Sequence, residues 1–194
     1  VNGLGSSIVA AVTAAGKVSL VVTQPMETLG LTMATYCGQN LGAGKIGRIR
    51  RGIRTSTLLG MCYSVFGCLL VSLLGGELSR LFISGENVSG ILEQVRHFLL
   101  INGLFYPFLN IIFIYRNSLQ GLGSGVPAMT AGIFELVGRS LVAFCLVGTF
   151  GFNAVCFANP AAWIAADLLL LPVYFIVIRR LRNSYPVLPE EAEA

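Results

Sequence analysis

The stretch Gly38-Gln39-Asn40-Leu41-Gly42-Ala43-Gly44-Lys45 closes a long apolar run and opens a basic one, in which Arg48, Arg50, Arg51 and Arg54 follow. Its glycines invite a phosphate-cradle reading, because Gly42-Ala43-Gly44-Lys45-Ile46-Gly47 fits G-x-G-x-x-G. That motif needs a short strand before it and a dry helix after it. A membrane-length apolar segment precedes it here. The Walker pattern fails too, since Gln39 stands where its first glycine belongs and Ile46 follows the lysine. The stretch therefore reads as a tight turn at a membrane face. Gly38, Gly42 and Gly44 allow the reversal, and Gln39 and Asn40 can hydrogen-bond exposed backbone.

Composition points the same way. The chain has 194 residues, 55% of them hydrophobic and 11% charged, with a mean hydropathy of +0.77. Soluble domains carry about 25% charged residues, and a soluble protein this apolar would lack the polar surface to cover itself. The class is an all-α polytopic membrane bundle. The net charge of +4 does not indicate nucleic acid, because the basic residues fall between apolar spans and form no stripe with aromatics. Cys37, Cys62, Cys68, Cys145 and Cys156 form no C-x-x-C pair and read as small buried hydrophobes. One histidine, His97, makes no metal site, and no nucleophile–base set suggests an enzyme. No cofactor is expected.

A bilayer core needs about 20 mostly apolar residues in a helix. Residues 18–36, 55–76, 97–115, 126–147 and 155–178 qualify as five spans. Residues 1–17, rich in Gly, Ala and Ser, read as the end of an earlier span plus a connection, which leads to the expectation of a sixth span upstream. Residues 1–182 form one lobe, and 183–194 read as a disordered cytoplasmic tail, acidic and proline-bearing. The loops set the orientation. Lys45, Arg48, Arg50, Arg51, Arg54, Arg116, Arg179, Arg180 and Arg182 share one side. The other holds Lys17, Arg80 and Arg96, with Glu77, Glu86 and Glu93 among them. Basic loops stay cytoplasmic, which places the C-terminus inside. No internal repeat is evident.

Charges inside spans are costly and become functional candidates. Glu27 follows Pro25, which lacks a backbone donor and should kink its helix. A carboxylate beside a kink can serve an ion or proton, or can bond to freed backbone and water. Glu135 and Arg139 are four apart on one helical face. They form either a fixed structural pair or an acid that alternates between Arg139 and a proton or ion. Asp167, mid-span beside Trp163 and Pro172, reads as a helix-packing hydrogen bond or a further acid site. Arg116, with Asn117 and Gln120, reads as a snorkelling cation. Phe105, Tyr106, Phe108 and Phe113 surround Pro107 and offer either cation-binding faces or packing. Pro25, Pro107, Pro127, Pro160 and Pro172 provide places to bend.

Gln24-Pro25 followed by the Gly38–Lys45 motif resembles the second half of a MATE (multidrug and toxic compound extrusion) transporter. Tyr115-Arg116-Asn117-Ser118-Leu119-Gln120-Gly121-Leu122-Gly123 is similar to that family's connection between its tenth and eleventh helices, and Glu135-Leu136-Val137-Gly138-Arg139 to a Glu…Arg pair in its eleventh. The resemblance implies two six-helix lobes around a cavity, with this chain supplying helices eight to twelve, residues 1–17 the end of helix seven, and the N-terminal lobe absent. It implies a plasma-membrane antiporter that exports organic cations or other amphiphiles in exchange for H⁺ or Na⁺. Its partners are the lipid bilayer, the other lobe and a small-molecule substrate. The acid that several members carry in the tenth helix is missing, and Asn102 and Asn110 stand there instead. Coupling then falls to the other lobe, Glu27 or Glu135, and the wider candidates are Gln24, Asn102, Tyr106, Arg139 and Asp167. The alternatives are a lipid-linked saccharide flippase of the same superfamily and a non-transporting membrane scaffold.

Overall fold

A computed structural model describes residues 5–83 and 88–184. The described residues form helices and no strand: α1 (Ser6–Gly42), α2 (Ile46–Arg80), α3 (Val88–Leu104), α4 (Tyr106–Gly121), α5 (Gly125–Cys145), the single-turn α6 (Val147–Phe150) and α7 (Phe152–Ser184). α1, α2, α5 and α7 are each long and apolar enough to cross a membrane. α3 and α4 pass the same test only when taken together, and they meet at a bend of 52°, so the count is five if the bent pair is one span. Residues 183 and 184 belong to α7, and the rest of the expected tail lies outside the described residues.

α1 corrects the expectation for residues 1–17. From Ser6 onward they continue without a break into the first span, as one helix of 37 residues. At 1.5 Å per residue this helix is about 55 Å long, well beyond a hydrocarbon core of about 30 Å. Its small residues are packing surface. Ala11, Ala15, Val18, Val22, Met26, Met33 and Cys37 form a buried stripe at helical spacing. In lipid, small side chains let helices approach closely, so a Gly/Ala-rich segment is a helix that packs. Lys17 consequently lies within α1 and not in a loop.

The prolines also divide. α1 and α7 run unbroken through Pro25, Pro160 and Pro172. Pro127 sits in the first turn of α5, where no intrahelical donor is needed. Only Pro107 marks a break, in the first turn of α4. Phe105 is the hinge: its N–H donates to the Asn102 carbonyl at 3.0 Å, and its own carbonyl accepts from the N–H of Phe108 at 3.0 Å.

The two glycine motifs end α1 and α4 in the same way. In each, three backbone bonds close a Schellman turn. Ala43, Gly44 and Lys45 donate to the carbonyls of Gln39, Leu41 and Asn40. Leu122, Gly123 and Ser124 donate to those of Ser118, Gln120 and Leu119. Gly44 (φ 69°) and Gly123 (φ 78°) take the left-handed position that glycine favours. Gly38, Gln39, Asn40 and Gly42 belong to the last turns of α1, so the reversal itself is shorter than the motif. The Asn40 amide donates to the Tyr36 carbonyl at 2.8 Å. The end of α4 lies against α1 two turns before α1 ends, because a Cβ on Gly121 would run into the Ala34 backbone. α1 packs on α4 and α2, and α5 lies chiefly on α7.

Candidate functional site

A cavity of about 500 Å³ opens between α1, α3, α4, α5 and α7. α1 gives it Thr13, Lys17, Ser19 and Thr23, α3 gives Asn102, and α4 gives Tyr106 and Phe113. Arg139 of α5 and Asn159 and Trp163 of α7 complete its polar and aromatic wall. Among the described residues, its charged lining is Lys17 and Arg139. Asn102 is held firmly. Its amide donates to the carbonyls of Phe98 (2.9 Å) and Cys156 (3.3 Å), and its oxygen accepts from the Asn159 amide at 3.0 Å. These bonds tie α3 to α7 one turn before the Phe105 hinge. The Tyr106 hydroxyl donates to Ser19 Oγ at 3.3 Å. Asn110 stands apart from this cavity, with its amide donating to the Thr57 carbonyl at 3.3 Å.

The acidic groups converge elsewhere. Glu135 does not pair with Arg139, although the two share a helix. Its carboxylate meets Arg116 Nη1 of α4 at 3.0 Å. The i, i+4 spacing offered one partner within the helix, and the packed α4 offered a nearer one. Arg116 is thus an ion-pair member and not a free snorkelling cation, with both side chains half-buried. Asp167 of α7 is 5% exposed, and neither carboxylate oxygen has a hydrogen-bond partner among the described residues. The expected packing hydrogen bond is therefore missing. Asp167 lies close enough to Glu135 to feel its charge. It borders a hollow of about 280 Å³ with Phe108, Ile111 and Pro172. Gly138 makes this convergence possible. A Cβ there would stand 3.1 Å from the Ala161 carbonyl oxygen and from Ala162 Cα, so α5 and α7 meet nearly backbone to backbone.

The remaining candidates scatter. Glu27, half-buried on α1, accepts from the Gln24 amide at 3.2 Å and lines neither the cavity nor the Asp167 hollow. The aromatic group around Pro107 splits: Tyr106 is fully buried, Phe113 lines the larger cavity, and Phe108 borders the Asp167 hollow. His97 contacts Asn153 Oδ1 at 3.0 Å. All five cysteines are free, but only Cys37 and Cys156 are buried, and Cys62 and Cys145 are exposed. Sequence reasoning missed Lys17, Asn159 and Trp163 as cavity residues. Asn159 carried a usable signal, an amide next to Pro160 inside an apolar run.

Helical spans with ionisable groups buried between them define a polytopic membrane bundle built to hold polar chemistry at membrane depth. The MatE family model matches residues 1–145, and the chain belongs to this family. It is 24% identical over 135 residues to a Bacillus subtilis (strain 168) protein described as "Probable multidrug resistance protein YpnP". That alignment covers 70% of this chain and 30% of the relative, so the chain spans under a third of the relative's length. The fold matches a solved structure described as the outward-facing conformation of a multidrug resistance MATE family transporter of the MOP superfamily. The TM-score is 0.83 at 17% identity, over 92% of this chain and 40% of that one.

Proposed function

We propose that this chain forms most of one lobe of a plasma-membrane secondary transporter. It works with a second lobe to export organic cations or other amphiphilic compounds in exchange for H⁺ or Na⁺. The basic end of the bundle, with the end of α7, faces the cytoplasm. Family membership supports transport, and the observation that carries coupling is Asp167. A carboxylate with both oxygens unpartnered inside a span is costly and needs a compensating proton or cation. Glu135 adds a second acid within electrostatic reach and is itself tethered to Arg116. Binding a cation at Asp167 is the step that could bias the packing of α5 on α7.

The test is transport by the two-lobe protein in proteoliposomes, with an imposed H⁺ or Na⁺ gradient and a fluorescent organic cation. Asp167→Asn is expected to bring gradient-driven uptake down to the level of protein-free vesicles. Wild-type rates in Asp167→Asn and in Glu135→Gln would remove both acids from the mechanism. A gradient that never drives uptake would remove antiport itself. One observation favours a second reading, transfer of lipid-linked saccharides. Among the described residues, the cavity at Asn102 and Arg139 is lined by Lys17 and Arg139 and by no carboxylate, which suits an anionic pyrophosphate better than a cation. Loss of lipid-linked saccharide transfer in Arg139→Gln, with organic-cation transport absent in the wild type, would decide for it.

A further inference from the structure

The basic end of the bundle holds a hollow apart from Asp167 and Glu135. It lies between the first turns of α2 and the last turns of α7, with a volume of about 560 Å³. Arg50, Arg51 and Arg54 line it, with Tyr115, Tyr174 and Phe175 opposite. A second hollow of about 340 Å³ shares Arg50 and Phe175 and adds Arg179 and Arg182. Two arginine sets, one from each helix, therefore border one continuous recess.

Among the described residues, no carboxylate lines either hollow and none forms an ion pair with these five arginines. The other end of the bundle behaves differently. There Arg80 and Arg96 both meet Glu77, at 2.7 and 3.6 Å. Like charges at i, i+4, such as Arg50 and Arg54, repel each other, so an anion between the helices relieves them. Guanidinium groups bind phosphate bidentately and with little hydration to lose. The recess is also amphipathic. Leu58 (59% exposed) and Phe175 (63% exposed) flank the arginines and leave apolar surface that the described residues do not cover.

We infer that this recess is a binding site for an anionic phospholipid of the surrounding leaflet, with its phosphate held by Arg50, Arg54, Arg179 and Arg182 and its acyl chains along Leu58 and Phe175. Basic pockets between membrane helices suit such headgroups. Arginines from two helices favour a headgroup with two phosphates, of the diphosphatidyl type, over one with a single charge. The inference rests on membrane placement alone and holds for either transport reading.

The experiment uses the two-lobe protein in nanodiscs of neutral phosphatidylcholine, titrated with a diphosphatidyl lipid, with a singly charged anionic lipid, and with inorganic phosphate. Native mass spectrometry counts the bound lipid. The diphosphatidyl lipid is expected to bind most tightly, and inorganic phosphate at equal phosphate concentration to compete little. Arg50→Gln with Arg54→Gln should weaken binding roughly thirtyfold. Arg179→Gln with Arg182→Gln should do likewise, which guards against one pair failing to fold. Arg80→Gln with Arg96→Gln, at the other end, should leave binding unchanged. Equal binding of neutral and anionic lipid, unchanged binding in both test pairs, equal loss in the control pair, or displacement by inorganic phosphate would each overturn the site.

Discussion

The turn after α1 and the turn after α4 share one backbone design and differ in what surrounds it. Each has glycine at the last helical residue, Gly42 or Gly121, and again two positions on, Gly44 or Gly123. Each closes with the same three hydrogen bonds. Their surroundings separate them. A Cβ on Gly42 would meet open space, whereas one on Gly121 would strike Ala34, at 2.8 Å from its carbonyl carbon and 2.9 Å from its Cα. The first turn leads into the arginines of α2, and the second into Gly125-Val126-Pro127 with no charge at all. A repeated glycine pair therefore does two jobs. The second glycine of each pair serves the turn, and the first serves helix contact only where a neighbour is present.

The sharpest break in this comparison is Gly121→Ala. The added methyl meets backbone, which cannot rotate away as a side chain could. Overpacking of this kind costs on the order of 2–3 kcal/mol. The substitution should lower the thermal midpoint of the purified protein in detergent and splay α4 from α1. A midpoint equal to wild type would mean that α4 and α1 leave room for a methyl group at Gly121.

Next come the turn glycines. Gly44→Ala and Gly123→Ala each force a Cβ into a left-handed conformation, at φ 69° and 78°. That costs about 1 kcal/mol in each case. The two losses should match, because the strain is local and the φ values are close. Gly44→Asn and Gly123→Asn should recover part of the loss, since asparagine tolerates this region. Unequal losses would show that one turn carries a constraint beyond its own backbone.

The glycine motifs were legible in the sequence because turn chemistry is local. A glycine two residues past a helix end has few conformational rivals. The apolar runs were legible for a similar reason, since a bilayer imposes one length on every span. The start of α1 was misread because Ala11, Ala14 and Ala15 resemble a connection in composition, while their small side chains are what packs. The acidic site was harder still. Glu135 sees Arg139 along its own helix, but its partner Arg116 and its neighbour Asp167 come from α4 and α7. α5 and α7 approach closely at Gly138, and nothing in the spacing of Glu135 announces it.

Gly42→Ala is the smallest effect and the one that separates the two turns most cleanly. Gly42 is the last residue of α1 and is not among the glycines with positive φ. Nothing lies within 4 Å of a Cβ placed there. Glycine inside a helix is less favourable than alanine by about 0.5–1 kcal/mol, because it leaves more freedom to the unfolded chain. At a helix end the gain should fall near the lower figure. The same substitution at two equivalent positions should therefore have opposite signs, a small rise in thermal midpoint for Gly42→Ala against the fall expected for Gly121→Ala. A fall for both would mean that Gly42 faces a neighbour after all.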